Sequence, residues 1–209
     1  ANIAHEIRNP LASLTGAIEG LAGNLAEAES RERLVRIVVK ESDRLNQIIR
    51  DFLEYARPAP LTLHPSNVAE ILDEVLFLLE HRARPGTLKI VREFPPSIVA
   101  TVDPQQFRQA VWNLCLNALE AMPGGGELRV WAALERGRLR LRVSDTGEGI
   151  TAGDLAHIFE PFYSTKAGGS GLGLALVHRI VQDHGGEIDV HSGPAAGATF
   201  TLTVPALHG

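Results

Sequence analysis

Cysteine is almost missing from this chain: Cys115 is the only one among 209 residues. An internal disulfide is therefore excluded, and a reducing compartment is the natural expectation. Cys115 sits in an apolar helical run, which predicts core packing rather than reactivity. No apolar run reaches the roughly 18 residues that a bilayer-spanning helix needs, and no secretory leader pattern is visible. A basic excess is lacking as well. The formal charge is −5, the wrong sign for a chain whose main partner is nucleic acid. There is no internal repeat and no low-complexity tract, which sets aside solenoids and disordered arrays. An initiator methionine is also missing, and Ala1 already lies in a predicted helix. The expectation is a fragment of a longer chain.

What is present is ordinary in bulk. Hydrophobic residues make up 44% and charged residues 22%, the balance of a soluble globular protein. The length suits one large or two small domains. Ile3, Ile7, Leu11, Leu14, Ile18, Leu21 and Leu25 recur at steps of three and four, which predicts a helix with a heptad-like stripe. The polar stretch Glu27–Ser30 interrupts it. A second stripe follows at Leu34, Val38, Leu45, Ile48, Phe52 and Tyr55, with Glu41 as its charged exception. Two helices joined by a short loop form a hairpin, and one hairpin cannot shield both stripes from water. Pairing with a second copy in a four-helix bundle would do so, hence a homodimer is expected. Packing against the C-terminal half of the same chain is the alternative.

The stretch RPAPLTLHPSN, Arg57–Asn67, ends the second helix with prolines and reads as a linker. The expected organisation is a helical hairpin over 1–57, a linker over 58–67 and a second domain over 68–209. In that domain, helices are predicted near Val68–His81, Pro104–Met122, Asp154–Ile158 and Gly171–His184. Strands are predicted near Lys89–Phe94, Ile98–Val102, Glu127–Leu134, Arg138–Ser144, Glu187–His191 and Ala198–Val204. The hairpin between Leu134 and Arg138 closes at Arg136-Gly137. The fold class is an α+β sandwich, a mixed sheet with helices on one face.

Three segments of this domain carry chemistry. On the Pro104–Met122 helix, Phe107, Val111, Leu114, Ala118 and Met122 form an apolar stripe, while Asn113 and Asn117 sit one turn apart on another face. Amide oxygens are hard neutral ligands, suited to a magnesium ion that already carries phosphate charge. DTGEGI, Asp145–Ile150, puts a carboxylate at a strand end, able to accept a hydrogen bond from an adenine amine. Gly147 and Gly149 allow close backbone approach to the ring. STKAGGSGLGLAL, Ser164–Leu176, leads glycines straight into a helix whose unpaired amides suit phosphate. Lys166 just before them is a point charge for a γ-phosphate. The spacing is neither Walker nor Rossmann. Each segment alone has a bland reading (a solvated helix face, an Asp-Gly turn, a flexible loop); together, in this order, they indicate an ATP site.

These residues resemble the catalytic domain of sensor histidine kinases, in the GHKL ATPase superfamily. Asn113–Asn117 is similar to the N box, Asp145-x-Gly147-x-Gly149 to the first G box, Phe159–Phe162 to the F box and Gly169–Gly173 to the second G box. Gly197–Phe200 resembles the closing GT motif, and HEIRNPL, His5–Leu11, the H box of the dimerisation and phosphotransfer domain. The resemblance implies a Bergerat-type ATP-binding fold with ATP and Mg2+. Asn117 is implied as metal ligand with Asn113 supporting, and Asp145 as adenine reader. Gly169, Gly171, Leu172, Gly173 and Leu174 would lie along the nucleotide, and Thr199 near the adenine. Residues 163–170 would form the ATP lid. Glu120 stands where many members carry a basic residue; with Tyr163-Ser-Thr-Lys166 this resembles the nitrogen-regulation branch and shifts phosphate contact to Lys166.

The same resemblance assigns the phospho-acceptor. His5 lies off the apolar stripe, a neutral imidazole is nucleophilic, and Glu6 can take the proton of its other ring nitrogen. Asn9, one turn on, would orient water for dephosphorylating the partner, and Pro10 should loosen the helix beyond it. The implied function is an ATP-dependent protein histidine kinase that phosphorylates His5 and passes the group to an aspartate of a response-regulator receiver domain. The receiver would rest near Ile7 and Leu11. The kinase core would be cytoplasmic, with any sensing or membrane segment upstream. Two rivals stand beside it: a GHKL ATP hydrolase or clamp, which needs a glutamate base where Asn113 stands, and a non-catalytic ATP-binding signalling dimer.

Overall fold

The computed structural model describes residues 2–23, 28–56, 60–84, 86–166 and 169–206. The chain forms two compact units, residues 1–59 with 162–172, and residues 60–161 with 173–209.

The first unit is built on two long helices, α1 (Asn2–Ala22) and α2 (Ala28–Ala56), packed on each other. Helix α1 runs through Pro10 as one helix. Helix α2 begins inside the stretch expected to interrupt the stripes, because Ala28-Glu29-Ser30 can start a helix as readily as end one. Pro10, Ala17 and Ile48 are buried, and Leu14, Leu21, Leu34, Val38, Leu45 and Phe52 half-buried. Leu11 and Ile18, on the predicted stripe, are exposed, as are Val35, Val39, Ile49 and Leu53. Leu25 lies outside the described residues.

The second unit opens with strand β1 (His64–Asn67), which pairs antiparallel with β3 (Val99–Val102). This strand lies within the stretch read as linker; the proline at 65 concealed it, since proline in a strand is confined to edges. Between them stand α3 (Val68–Arg82) and β2 (Leu88–Glu93). Then follow α4 (Pro104–Ala121), β4 (Gly126–Glu135), β5 (Arg138–Asp145), the short α5 (Ala152–Leu155), α6 (Gly173–Asp183), β6 (Glu187–Ser192) and β7 (Ala198–Pro205). The main sheet has five strands in the order β2-β4-β5-β7-β6, with β2 parallel to β4 and the other pairs antiparallel. Arg136 and Gly137 both have positive φ, 52° and 75°, the requirement of the tight hairpin turn between β4 and β5.

Alternation decides which face is core. Leu128, Val130 and Ala132 of β4, Leu139, Leu141 and Val143 of β5, and Phe200, Leu202 and Val204 of β7 point one way and are buried. They meet Leu72, Leu76 and Leu79 of α3, Phe107, Val111, Leu114 and Cys115 of α4, and Val177, Ile180 and Val181 of α6. The opposite face is polar. There Arg142 lies 4.4 Å from the Trp131 ring across the β4–β5 pair, and Arg129 pairs with Glu93 and Glu127.

Asp103 starts α4. Its Oδ1 accepts from the Gln105 and Gln106 amides, both at 3.0 Å, with Pro104 in the first turn. Burial alone would raise this carboxyl's pKa. Bonds from the Gln106, Thr62 and Gln105 amides hold it below the ordinary 3.8 instead. A depressed folded value contributes stability that is complete above the unfolded value and lost as pH falls through the folded one. Taking the protein from about pH 6 to about pH 3 should therefore lower its unfolding midpoint, and less steeply in Asp103→Asn. Burial pushes the Cys115 thiol up to about 12. In the folded protein near pH 8 it should stay unmodified by a thiol reagent for as long as the unit remains folded, and react at once on unfolding.

Candidate nucleotide-binding site

The apolar stripe of α4 is buried between α6 and the sheet, so its polar face is fixed by exclusion. Asn113 and Asn117 stand on that face, both half-buried. Gly173, the first residue of α6, lies against Asn113: a methyl group there would come within 4.0 Å of the Asn113 side-chain amide carbon. The helix start and the amide face of α4 therefore adjoin. Leu174 packs on the core from the next position.

Asp145 ends β5 at the same edge of the unit. Its Oδ1 accepts from the Gly147 amide at 2.8 Å and the Ala198 amide at 3.3 Å. Two backbone donors on one oxygen orient the carboxylate. Gly147 is needed for closeness, since a methyl group there would meet the Ala121 carbonyl oxygen at 2.5 Å. The Glu148 amide donates to that carbonyl, which ties the loop to the end of α4. Gly149 is needed for shape, with φ at 73° and the Gly193 carbonyl against its α-carbon. The loop is stitched to the β6–β7 turn by Ala195 N–H to Glu148 O at 2.7 Å and Gly197 N–H to Gly147 O at 3.1 Å. Ser192 closes the seam. Its hydroxyl accepts from the Ile150 amide at 2.8 Å and donates to the Gly197 carbonyl at 2.6 Å. An isolated serine before a Gly-Pro turn carries no signal that would have singled it out.

Two of the predicted residues have side chains engaged within the protein. Thr199 donates to the Ser144 hydroxyl at 2.9 Å and shares the polar sheet face with it. Alternation puts Ala198, not Thr199, on the side of Asp145, and Ala198 supplies the amide. Leu172 is fully buried.

The remaining candidates belong to the first unit. Phe162 and Gly171 close the segment 162–172 with an amide-to-carbonyl bond of 2.9 Å, both at positive φ. Within it, the Lys166 amide donates to Ser164 Oγ at 3.2 Å and the Gly169 amide to Lys166 O at 3.3 Å. Ser170 donates to Asp51 of α2 at 2.7 Å. Gly171, at φ 63°, is not helical, so α6 starts two positions later than expected. On α1, Asn9 is exposed, while the side chains of His5 and Glu6 lie outside the described residues.

A family model of the histidine kinase-, DNA gyrase B- and HSP90-like ATPases matches residues 102–208, and one of the His Kinase A (phospho-acceptor) domain matches residues 1–60. The chain belongs to the sensor histidine kinases. Sensor histidine kinase ZraS of Klebsiella oxytoca is 38% identical over 208 residues, which cover 98% of this chain and 45% of that protein. Sporulation kinase E of Bacillus subtilis is 35% identical over 98% of this chain and 28% of its own length. Histidine kinase ThkA, solved in complex with response regulator protein TrrA, superposes with a TM-score of 0.84 at 28% identity, over 98% of this chain and 60% of that one. Full-length ShkA, solved with AMPPNP, gives 0.75 at 29% identity, over 98% and 45%. The chain thus spans less than half the length of these curated relatives. The ATPase family match falls almost wholly in the second unit, and no described helix is long and apolar enough to cross a membrane.

Gly147→Ala should push the loop off the end of α4 and weaken binding of a fluorescent ATP analogue by roughly tenfold, about 1.4 kcal/mol. Gly124→Ala, with open space around its α-carbon, should leave affinity unchanged. Equal affinities in the two variants would dismiss the close approach as a determinant.

Proposed function

We propose that this chain is the kinase core of a two-component sensor, which moves the γ-phosphoryl of ATP to His5 and then to an aspartate of a response-regulator receiver domain. The observation that carries the reading is the presence, in one chain, of a phospho-acceptor region bearing HEIRNPL and an ATP-binding domain whose Asp145 is oriented by backbone donors. A hydrolase or clamp of the same superfamily has no use for the first. One ring nitrogen of His5 attacks the γ-phosphorus as the bond to the β–γ bridging oxygen breaks, and ADP leaves with the electron pair. Glu6 accepts the proton of the other ring nitrogen, so no cationic phosphoimidazole builds up. Asp145 accepts from the adenine amine.

Lys166 and the amides of Gly169, Gly171 and Gly173 meet the phosphates. The amide face of α4 fits a magnesium ion held jointly with phosphate oxygens, Asn117 as ligand and Asn113 beside it; the ion would neutralise the triphosphate. Asn9 orients water for dephosphorylating the receiver. ThkA was solved with a response regulator, which supports a receiver domain as the acceptor.

The assembly is a homodimer in this reading. Leu11 is 45% exposed, Ile18 54%, Val39 55% and Leu53 54%, apolar surface that a second hairpin would cover as a four-helix bundle.

With γ-phosphate-labelled ATP and Mg2+, the protein should acquire an acid-labile, base-stable label. His5→Gln should take none, and Lys166→Ala should label at a rate lowered by roughly tenfold. Free phosphate without labelled protein would point to the hydrolase, and nucleotide binding with neither product to the non-catalytic dimer; either result overturns the proposal.

A further inference from the structure

Asp103 does more than start α4. Its Oδ2 accepts from the Thr62 amide at 2.9 Å, across 41 residues of sequence. Its own amide donates to His184 Nε2 at 3.0 Å. A backbone amide can only donate, so this nitrogen carries no proton. The other ring nitrogen, Nδ1, therefore donates to the Ile180 carbonyl at 2.7 Å. Asp103 is 7% exposed and His184 fully buried, the only buried polar side chains among the described residues. These bonds are made inside the second unit. It joins the first turn of α4, the C-terminal turn of α6 and the chain just ahead of β1. Buried polar groups are costly unless satisfied, and a satisfied cluster rigidifies what it touches.

Thr62 stands in the stretch that leaves α2 at Ala56 and enters the ATP-binding domain. The next anchored residue is His64, paired with Val102 in the β1–β3 ladder. The Thr62 bond therefore sets where the tether ends. Without it the tether gains two residues, about 7 Å of reach. The end of the tether would also no longer be registered to α4, the helix carrying Asn113 and Asn117. A phosphoryl transfer between two kinds of unit joined by such a linker depends on how the linker presents them, not only on affinity for nucleotide.

We propose that Asp103 is a positioning residue for autophosphorylation: its carboxylate clasps the Thr62 amide and so fixes the linker's end to the N-terminus of the nucleotide helix. The inference rests on the kinase reading given above. It divides the carboxylate's work in two, Oδ1 capping α4 and Oδ2 holding the linker, and the halves separate chemically. Thr62→Pro removes the amide donor and leaves the cap. Asp103→Asn keeps an oxygen for the cap, since asparagine is as good a cap as aspartate, and turns an NH2 toward the Thr62 amide. Thr62→Ala removes only the hydroxyl, whose partner is the Pro60 carbonyl, and keeps the amide.

In the whole chain, Thr62→Pro and Asp103→Asn should each slow labelling at saturating ATP by roughly threefold or more, with the Kd for a non-hydrolysable ATP analogue unchanged. Thr62→Ala should match the wild type. The double variant should be no slower than the slower single, because both cut one bond. Hydrogen exchange at the Thr62 amide should be slow in the wild type and fast in Asp103→Asn, which carries the test should Thr62→Pro fail to fold. Unchanged or faster labelling in the variants overturns the proposal. So does a loss of analogue affinity that parallels the loss of rate, the mark of a purely structural role, or a fully additive double variant. A wild type that takes no label sinks the kinase reading and this inference with it; a labelled wild type with indifferent variants sinks this inference alone.

Discussion

Burial of one stripe of α4 is the constraint on which the ATP-binding unit turns. Phe107, Val111, Leu114 and Cys115 are all but removed from water, packed between α6 and the sheet. Fully burying such side chains contributes about 1.5–3 kcal/mol each, and four together outweigh the few hydrogen bonds at the site. Rotating the helix by one residue would swing this stripe by 100° and lose that burial. The amides of Asn113 and Asn117 are thus aimed by hydrophobic packing, not by contacts of their own. The cap at Asp103 sets the helix's start, and the Gly147 and Glu148 contacts at Ala121 fix its end. A helix defined at both ends and along one face is a rigid ruler for a ligand that must be held while its outermost group reacts.

The sheet explains why the site is on that side. The outward residues of β4 and β5 include Arg129, Trp131, Arg138, Arg140 and Arg142, matched by Glu93, Glu127, Glu135 and Glu187. Exposed ion pairs are worth little in stability, but burying so many charges under another layer would be prohibitive. The helices are consequently confined to the opposite face. The loops that form the site gather where that helical layer meets the ends of β5 and β7. Loops there need unusual backbone, and the glycines occur where another chain segment passes too close for a β-carbon.

Periodicity made most of this readable in advance. The α4 stripe, the alternation of β4, β5 and β7, and the turn at Arg136-Gly137 are local patterns, and the elements fall within two residues or so of where the pattern puts them. The helix face of Asn113 and Asn117 and the strand-end position of Asp145 were legible for the same reason. What stayed hidden depends on partners distant in sequence. Strand β1 is defined by β3, more than thirty residues away, and its proline argues locally against a strand. Thr199 looked like the polar residue of its motif, yet a strand exposes alternate faces, and only the register with Ser144 shows that its neighbour Ala198 meets Asp145. His184 stood in the sequence only as the last residue of a predicted helix. Its part emerges only with Asp103, 81 residues earlier.

Glu41 was the one charge on the second apolar stripe, and its setting bears on the proposed dimer. Its side chain is only 14% exposed, with Arg44 at 3.6 Å one turn along α2. That separation makes an ion pair without a hydrogen bond, and among the described residues neither Glu41 Oε2 nor Arg44 Nε finds a hydrogen-bond partner. A charge pair so placed costs desolvation that its mutual attraction does not fully offset. Leucine at 41 would serve a lone hairpin better. Polar residues inside helical bundles instead select register and partner at the expense of stability. The exposed Leu11, Ile18, Val39 and Leu53 supply attraction for a second hairpin but little discrimination, since apolar faces slide. In the proposed bundle, the Glu41–Arg44 pair would add what they lack, by penalising registers that bring it no donors or acceptors.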